Sequence, residues 1–415
     1  MRKMKDSGLQ WAGDIPQYWN TAKGKYFMAV LERPVRDDDS VITCFRNGEV
    51  TLRSNRREDG FTVATVEAGY QGIEPGDLVV HGMDGFAGAI GISDSRSKGT
   101  PALNVLSCSE NKKYIMYLLR AMAYTEVFMA LSTGIRVRTC DTNWKKLKSL
   151  DYLIPPADEQ QCIADFLDGK CAEIDALAAD IQAQIDTLEQ YKRSVITETV
   201  TKGLNPNAEM KDSRIQWIGD MPAHWNVIRG KYILRYIQKP VRENDGVITC
   251  FRDGEVTLRS NRREDGFTMS DKEIGYQGID VGDLVVHGMD GFAGSIGISD
   301  SRGKASPVLN VLDTDQCKRY IMYYLRSMAY SDVFLALATG IRVRSCDLRW
   351  NKLAELSYPV PPLDEQNAIV KHIDSVLSKA DAVITDKKTQ IAILDEYKRS
   401  LIFEYVTGKK EVEVI

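Results

Sequence analysis

The sequence predicts an α+β protein in which two similar α/β domains alternate with two long helices. Two observations support this prediction. The chain aligns with itself without a gap when it is shifted by 206 residues, and each copy ends in a long stretch of helical apolar spacing. The repeat is clearest at Val41–Thr62, which returns at Val247–Thr268 with the single change of Asn47 to Asp253. A period of this length is that of a domain, so two similar folded units are expected.

The predicted boundaries follow from the repeat. Each copy opens with short β-rich runs such as VITCF and DLVVH, followed by one helical run, Asn111–Gly134 in the first copy. A Pro-Pro pair precedes each long helix, and Gly, Pro and Asn residues mark the connection between the copies. The predicted order is a first domain at 1–156, a central helix at 157–202, a linker at 203–212, a second domain at 213–362 and a distal helix at 363–409.

Each long helix carries an apolar seam whose spacing alternates between four and three residues, which is typical of a coiled coil. Polar residues interrupt both seams, at Lys170 and Gln184 in the first and at Lys387 and Gln390 in the second. An amphipathic helix on a globular core is the alternative, but the length of both seams favours the coiled coil. The predicted apolar seam positions are Ile163, Leu167, Ile174, Leu177, Ile181, Leu188, Ile369, Ile373, Val376, Val383, Leu394 and Leu401.

Composition argues against several classes of protein. No apolar run reaches the length of a membrane span, and the N-terminus lacks the apolar segment of a secretion signal. The eight cysteines form no Cys-x-x-Cys pair, so they are expected to be reduced thiols of a cytoplasmic protein. The net charge of −4 is contrary to the basic character of many DNA-binding proteins. Acid is concentrated, however, at residues 158–202, which hold ten Asp/Glu against four Lys/Arg.

A first basic cluster in each domain is the run TLRSNRREDG, which is typical of a loop because it is polar and ends on glycine. Arginine can form two hydrogen bonds with guanine in the major groove, and asparagine can do the same with adenine. DNA contact is therefore predicted, and a solvated hairpin with Arg–Glu pairs is the alternative. The candidate residues are Arg53, Asn55, Arg56, Arg57, Arg259, Asn261, Arg262 and Arg263.

A second basic cluster follows Gly134 and Gly340. Its Arg-Val-Arg alternation places both guanidinium groups on one face of an extended strand, where they can contact phosphates or base edges. A surface strand whose charges are satisfied within the protein is the alternative. The candidate residues are Arg136, Arg138, Lys145, Lys146, Arg342, Arg344, Arg349 and Lys352.

The turn HGMDG also occurs in both copies and contains His81 and Asp84 in the first. Two potential ligands in one turn fall short of a metal site, so a structural turn is the preferred interpretation and no metal is expected. A self-contained nuclease or methylase that uses this turn is the alternative. The sequence has no Walker A motif and no Asn-Pro-Pro-aromatic motif, and neither a translocase nor an amino-methyltransferase is therefore expected.

The stretch Tyr152–Asp168 (YLIPPADEQQCIADFLD), its copy Tyr358–Asp374 and the run Lys202–Val227 resemble the specificity subunits of Type I restriction–modification systems, the HsdS family. The resemblance extends over nearly the whole chain, and its most specific element is Pro-Pro-x-Asp-Glu-Gln. It implies two target recognition domains that each read one half of a bipartite double-stranded DNA site. It also implies that the long helices pack antiparallel, with pseudo-two-fold symmetry, and set the spacer between the half-sites.

The same resemblance implies the partners. Two methylase subunits would dock on the helices, and restriction and translocase subunits would join that core. The chain itself would be non-catalytic and without a cofactor, because S-adenosylmethionine would belong to the methylase. A coiled-coil scaffold that does not read DNA remains a further alternative.

The near identity of the two domains adds one expectation about the DNA. Identical reading surfaces related by a two-fold axis should read an interrupted palindrome. The sequences diverge chiefly at Val63–Glu67 (VATVE) against Met269–Glu273 (MSDKE), and this difference could alter one or two bases of a half-site.

Overall fold

The structure, a computed structural model, describes residues 2–56, 67–130, 142–262, 274–336 and 348–412. The chain divides into two compact units, Met1–Ile181 with Thr389–Ile415, and Gln182–Lys388. Each unit therefore contains one predicted domain and a part of each long helix. Both mix helices with strands, as the sequence predicts. Among the residues that the structure describes, no helix combines the length and the apolar character needed to cross a membrane.

Two long helices, α4 and α9, each follow a part of the chain that mixes short helices with strands. The central helix begins and ends where the sequence predicts, whereas the distal helix ends at Val406 rather than at residue 409, just before Gly408 with its positive φ of 69°. The described helices are α1 (Lys112–Tyr124), α2 (Val127–Ala130), α3 (Trp144–Leu147), α4 (Ala157–Lys202), α5 (Gly230–Ile233), α6 (Lys318–Tyr330), α7 (Val333–Ala336), α8 (Trp350–Glu355) and α9 (Leu363–Val406).

The single helical run predicted from Asn111 to Gly134 is wrong in one respect. The Asn111 side chain caps α1 by accepting from the backbone N–H groups of Lys113 and Tyr114. The helix then stops at Tyr124, because Glu126 adopts a positive φ of 59°, and α2 starts after it. Residues 131–134 of the predicted run lie outside the described part of the chain.

The first unit is built around a four-stranded antiparallel sheet of order β4-β11-β8-β9. The central strand β8 is apolar at successive positions because Leu78, Val79 and Val80 are all fully buried, with α1 on one side and a smaller apolar layer on the other. The strands of this unit are β1 (Met4–Asp6), β2 (Asp14–Pro16), β3 (Asn20–Lys23), β4 (Met28–Val30), β5 (Ile42–Cys44), β6 (Val50–Leu52), β7 (Gln71–Ile73), β8 (Leu78–His81), β9 (Ile90–Ile92), β10 (Ser97–Gly99), β11 (Leu103–Cys108) and β12 (Asp151–Ile154).

The second unit has the same sheet, of order β16-β23-β20-β21. Its register also repeats, since Val285 pairs with Val311 as Val79 pairs with Val105. The strands are β13 (Met210–Asp212), β14 (Asp220–Pro222), β15 (Asn226–Arg229), β16 (Arg235–Tyr236), β17 (Ile248–Cys250), β18 (Val256–Leu258), β19 (Gln277–Ile279), β20 (Leu284–His287), β21 (Ile296–Ile298), β22 (Gly303–Ala305), β23 (Leu309–Asp313) and β24 (Ser357–Val360).

The segment predicted as a linker, 203–212, is only partly irregular. Its last three residues form β13, which pairs antiparallel with β14. The corresponding strands β1 and β2 pair in the same way in the first unit. The composition of this segment misled the prediction because a three-residue exposed strand leaves no apolar pattern in the sequence.

Both units contain side-chain contacts between α4 and α9. In the first unit Lys398 forms an ion pair with Asp175 at 2.6 Å, and the rings of Phe166 and Tyr405 lie 4.4 Å apart. In the second unit Lys192 forms an ion pair with Asp381 at 2.6 Å. Each unit is thus closed by segments of both long helices, which pack onto the same apolar core as the sheet and its helix.

The predicted seam requires a correction at alternate positions. Leu177 is 49% exposed and Val383 is 43% exposed, and the neighbouring residues Ala178 and Ile384 are the buried or half-buried ones. An apolar seam of a seven-residue repeat can be assigned in two registers, and these agree at every second seam position. The structure adopts the register that buries Ile185 rather than Gln184. The predicted positions that are buried or half-buried are Ile163, Leu167, Ile174, Ile181, Leu188, Ile369, Ile373, Val376, Leu394 and Leu401.

Candidate nucleic-acid interface

The hairpin β5–β6 carries the first basic cluster and is anchored from below by a buried arginine. Arg120 of α1 donates from Nε to the Ile90 carbonyl at 2.8 Å and from Nη2 to the Gly48 carbonyl at 2.9 Å. Gly48 lies at the hairpin turn with φ of 86°, and a Cβ there would meet the guanidinium at 1.9 Å. Only glycine therefore fits this turn. Arg326 and Gly254 make the same contacts in the second unit.

The HGMDG turn faces this hairpin. His81 Nδ1 accepts hydrogen bonds from the backbone N–H groups of Met83 and Asp84, at 3.2 and 3.1 Å. Because Nδ1 is an acceptor, the proton of the neutral ring lies on Nε2. Burial lowers the pKa of His81, and the neutral ring is therefore favoured near neutral pH. Arg46 of the hairpin reaches Asp84 at 2.9 Å and ties the two elements together.

The hairpin and the turn enclose a cleft, which in the second unit has a volume of about 580 Å³. Arg262 lies over the Phe251 ring at 4.3 Å, and Arg252 reaches Asp290 at 3.1 Å. Burial lowers the pKa of His287 in the same way as that of His81. The cleft thus presents guanidinium groups, an aromatic face and a histidine within one surface. Its lining residues are Thr249, Cys250, Phe251, Arg252, Asp253, Arg262, His287, Asp290 and Ser295.

The predicted residues of this cluster divide between cleft and hairpin. Arg56 lies over the Phe45 ring at 4.9 Å and pairs with Glu49. It therefore occupies the same position in the first unit as Arg262 does in the second. Arg53 donates instead to Thr43 Oγ1, and Asn55 donates to Thr51 Oγ1. Arg259 and Asn261 repeat these bonds with Thr249 and Thr257. These four side chains therefore support the hairpin, and their contact with DNA stays a prediction.

Six of the predicted residues lie outside the described part of the chain, so the structure does not place them. They are Arg57, Arg136, Arg138, Arg263, Arg342 and Arg344.

A basic and aromatic patch forms where the short 3-10 helix Gly24–Tyr26 packs on α3. The backbone N–H of Lys25 donates to the Lys148 carbonyl at 3.0 Å, and the Lys25 ammonium lies 4.9 Å from the centre of the Tyr26 ring. Tyr26 itself is 73% exposed. The packing brings the predicted residues Lys145 and Lys146 of α3 together with further lysines that the sequence interpretation missed. The patch consists of Lys23, Lys25, Tyr26, Lys145, Lys146 and Lys148.

The equivalent patch in the second unit has the same frame and contains a carboxylate that pairs with two of its cations. Tyr232 is 74% exposed, with the Lys231 ammonium 5.4 Å from its ring centre. Glu355 pairs with both Arg229 and Lys231, at 3.2 and 3.3 Å. Of the predicted residues, Arg349 is the N-cap of α8 and Lys352 lies within it.

The geometry of the HGMDG turn does not favour the enzymatic alternative. The lone pair of His81 Nδ1 is engaged by two backbone N–H groups, and Arg46 occupies Asp84. Within the described ranges, no group of three or more His, Cys, Asp or Glu side chains could hold a metal ion. The turn is positioned as a donor and acceptor surface rather than as a ligand set.

Comparisons with known proteins agree with the fold. No family model matches the chain. It is 23% identical, over 97% of its own length and 96% of the relative's, to a Methanocaldococcus jannaschii protein provisionally named the type I restriction enzyme MjaX specificity subunit. It is 18% identical, over 96% and 90%, to the type I restriction enzyme StySPI specificity subunit of Salmonella potsdam. The chain is a homologue of type I restriction enzyme specificity subunits.

A solved chain shares the fold of this protein. The two superpose with a TM-score of 0.65 at 12% identity, over 95% of this chain and 99% of the other, which comes from a structural study of complex assembly and conformational transition in the type I R-M system. The names of these relatives give no support to a self-contained nuclease or methylase.

Proposed function

We propose that this protein is the non-catalytic DNA sequence-recognition subunit of a Type I restriction–modification complex. The observation that carries the proposal is the cleft between hairpin and HGMDG turn in the second unit, whose arginine, phenylalanine and histidine contacts recur in the first. The relatives support it, since both are named specificity subunits. Each domain would read one half of a bipartite double-stranded DNA site.

The chemistry of the cleft suits the edges of base pairs. A guanidinium group can donate two hydrogen bonds to the O6 and N7 atoms of guanine, and Arg56 and Arg262 are the candidates for this contact. Neutral His81 and His287 would offer the Nε2–H donor, which suits an acceptor on a base. The exposed Tyr26 patch would contact phosphates, which orients a protein on the duplex without reading its sequence.

The long helices would form an antiparallel coiled coil with pseudo-two-fold symmetry. In the first unit the partners of Phe166 and Asp175 are Tyr405 and Lys398, so residue numbers fall along α9 as they rise along α4. In the second unit Gln184 and Lys192 contact Lys387 and Asp381, which follows the same order. Opposite chain directions in both units support the antiparallel arrangement, and the coil would set the spacer between half-sites.

The partners would be two methylase subunits docked on the helices, with restriction and translocase subunits joined to them. S-adenosylmethionine would bind to the methylase, and this chain would hold no cofactor. The relative described in a study of type I R-M complex assembly is consistent with such partners.

Selection of DNA by the full-length chain tests this function. Duplexes with a randomised segment are incubated with the protein, and the retained fraction is sequenced. We expect enrichment of two short blocks separated by an unread spacer, and we expect the double variant Arg56→Ala/Arg262→Ala to lose it. Arg214→Ala, on an exposed turn away from the cleft, serves as the matched control and should keep the motif. Absence of any enriched motif with the unaltered chain would refute the proposal.

The spacer role has its own test. Seven residues inserted into both α4 and α9 would add about 10 Å of helix, or about three base pairs. The selected motif should keep its two blocks and lengthen its spacer. An unchanged spacer would show that the helices do not set it.

A further inference from the structure

The two clefts are almost the same in composition, so the few differences are informative. Of the nine residues that line the cleft of the second unit, seven have an identical counterpart in the first. The two exceptions are Asp253, which replaces Asn47, and Ser295, which replaces Ala89. Ser295 is 1% exposed and adds no charge. The Asn47–Asp253 exchange is therefore the one electrostatic difference among these lining residues.

This exchange preserves the hairpin turn. Asn47 Oδ1 accepts from the backbone N–H of Glu49 at 3.2 Å, and Asp253 Oδ1 accepts from that of Glu255 at 3.1 Å. The same oxygen thus performs the same structural role in both hairpins. What the second unit gains is a negative charge.

That charge acts on the arginine proposed to read the base. Arg262 pairs with Asp253 at 2.6 Å and with Glu255 at 3.1 Å, whereas Arg56 pairs with one carboxylate, that of Glu49, among the residues that the structure describes. A guanidinium group that contacts DNA must break its ion pairs with carboxylates or weaken them. Each exposed ion pair stabilises the free protein by about 0.2–1 kcal/mol. Asp253 also repels the phosphates of an approaching duplex.

The phosphate-facing patches differ in the same direction. Lys145 and Lys148 of the first unit are replaced by Asn351 and Ala354, and Ser149 is replaced by Glu355. Two exchanges act the other way, from Asn143 to Arg349 and from Asp151 to Ser357, and the net loss is one positive charge. Over the whole domains, residues 1–156 hold 21 Lys/Arg and 18 Asp/Glu, whereas residues 207–362 hold 21 and 20.

We infer that the two domains read the same bases with unequal strength, and that Asp253 makes the second domain the weaker reader. This inference rests on the proposed function and specifies its DNA substrate as an interrupted palindrome. Apart from the Asn47–Asp253 exchange, whose side-chain oxygen is held by the hairpin turn in both units, the cleft residues that can contact base edges are the same in both domains, so we expect identical half-sites. Their surroundings differ by one charge at the cleft and one at the patch, so unequal affinity follows.

Four variants of the full-length chain test the inference, with the duplex selected by the unaltered chain as the fluorescent probe. On that duplex Arg56→Ala should weaken binding about fiftyfold and Arg262→Ala only about tenfold, both within the range expected for loss of one arginine–guanine contact. Asp253→Asn should strengthen binding about two- to fivefold, because it removes one competing carboxylate. Asn47→Asp should weaken binding by a similar factor. The two exchanges at the turn keep its hydrogen bond, and thermal melting of each variant checks that the fold is intact.

The outcomes separate this inference from the proposed function. A selected motif with two unrelated halves would overturn the shared half-site and leave DNA recognition standing. Equal losses for Arg56→Ala and Arg262→Ala, or no gain with Asp253→Asn, would overturn the unequal strength. A chain that selects no motif at all would contradict the proposed function itself. An inverted repeat with the expected order of affinities supports the inference.

Discussion

The cleft is nearly the same in the two domains, whereas one ion pair that holds the fold differs between them. In the first domain Arg33 donates through both terminal nitrogens to Asp77. In the second, Lys239 takes the place of Arg33 and contacts two aspartates, Asp280 and Asp283, at 2.9 and 2.6 Å. The fold therefore tolerates a change of partners there. Some cleft residues also hold hairpin and turn together, through Arg46–Asp84 and Arg252–Asp290, and nearly all are the same in both copies, as the proposed reading of one half-site sequence by both domains requires.

The largest effect is expected at the arginine that anchors each hairpin, Arg120 or Arg326. Arg120→Met would leave the carbonyls of Gly48 and Ile90 without their donor and should lower the free energy of unfolding by about 3 kcal/mol. Arg326→Met should have a similar effect, because its contacts are the same. Hydrogen exchange of the two hairpins measures each domain separately. A loss confined to one variant would mean that the two hairpins are held differently.

The next effect concerns the ion pair between Arg96 and Asp39. The Asp39 side chain is 2% exposed, and Arg96 holds its pKa at about 2, against an ordinary 3.8. Arg96→Ala should therefore cost about 3 kcal/mol of stability at pH 7. The unfolded chain binds the proton first, so this contribution is complete above about pH 4 and is lost as the pH falls towards 2.

Urea unfolding of the Arg96→Ala chain and of the unaltered chain at several pH values measures this dependence. The stability that the equivalent ion pairs give the second domain should be lost over the same pH range. There Arg302 lowers the pKa of Asp245, and Lys239 and Arg302 hold the pKa of Asp280 at about 2. A stability difference that stays constant down to pH 2 would show that the pair does not carry it.

The corrected helix register gives a matched comparison on one helix. Ile181→Ser removes a buried apolar side chain and should cost about 2 kcal/mol, whereas Leu177→Ser alters an exposed one and should change stability by less than about 0.5 kcal/mol. The free energy of unfolding of both variants decides between the registers. Equal costs would restore the register predicted from the sequence.

The smallest effect is expected at the ion pair between Arg33 and Asp77, which differs between the two domains. Arg33→Lys should cost about 1 kcal/mol, because lysine cannot form the two-bonded pair with Asp77. Adding Glu74→Asp places in the first domain the residues found at Lys239, Asp280 and Asp283, and should recover part of the loss. Additive losses in the double variant would argue that the two domains do not tolerate the same exchange.

The sequence predicted the repeat, the mixed domains and the long helices because these depend on local spacing and on self-similarity. It misplaced the helix register because two heptad assignments share every second position, and only packing selects Ile185 over Gln184. It missed the Arg120–Gly48 contact and the exposed Tyr26 patch, since each joins segments far apart in the chain. Arg56 was found from its cluster, but Arg46 was missed, and its partner Asp84 had been assigned to a separate structural turn.

The central claim, that two nearly identical domains read the same half-site, is tested most directly by sequencing modified bases. DNA is taken from cells that express this chain with its methylase, and the positions of methylated bases are read on single molecules. We expect one new motif, with two inverted and complementary halves around an unread spacer and one methylated base in each half. A methylated motif with two unrelated halves would contradict it.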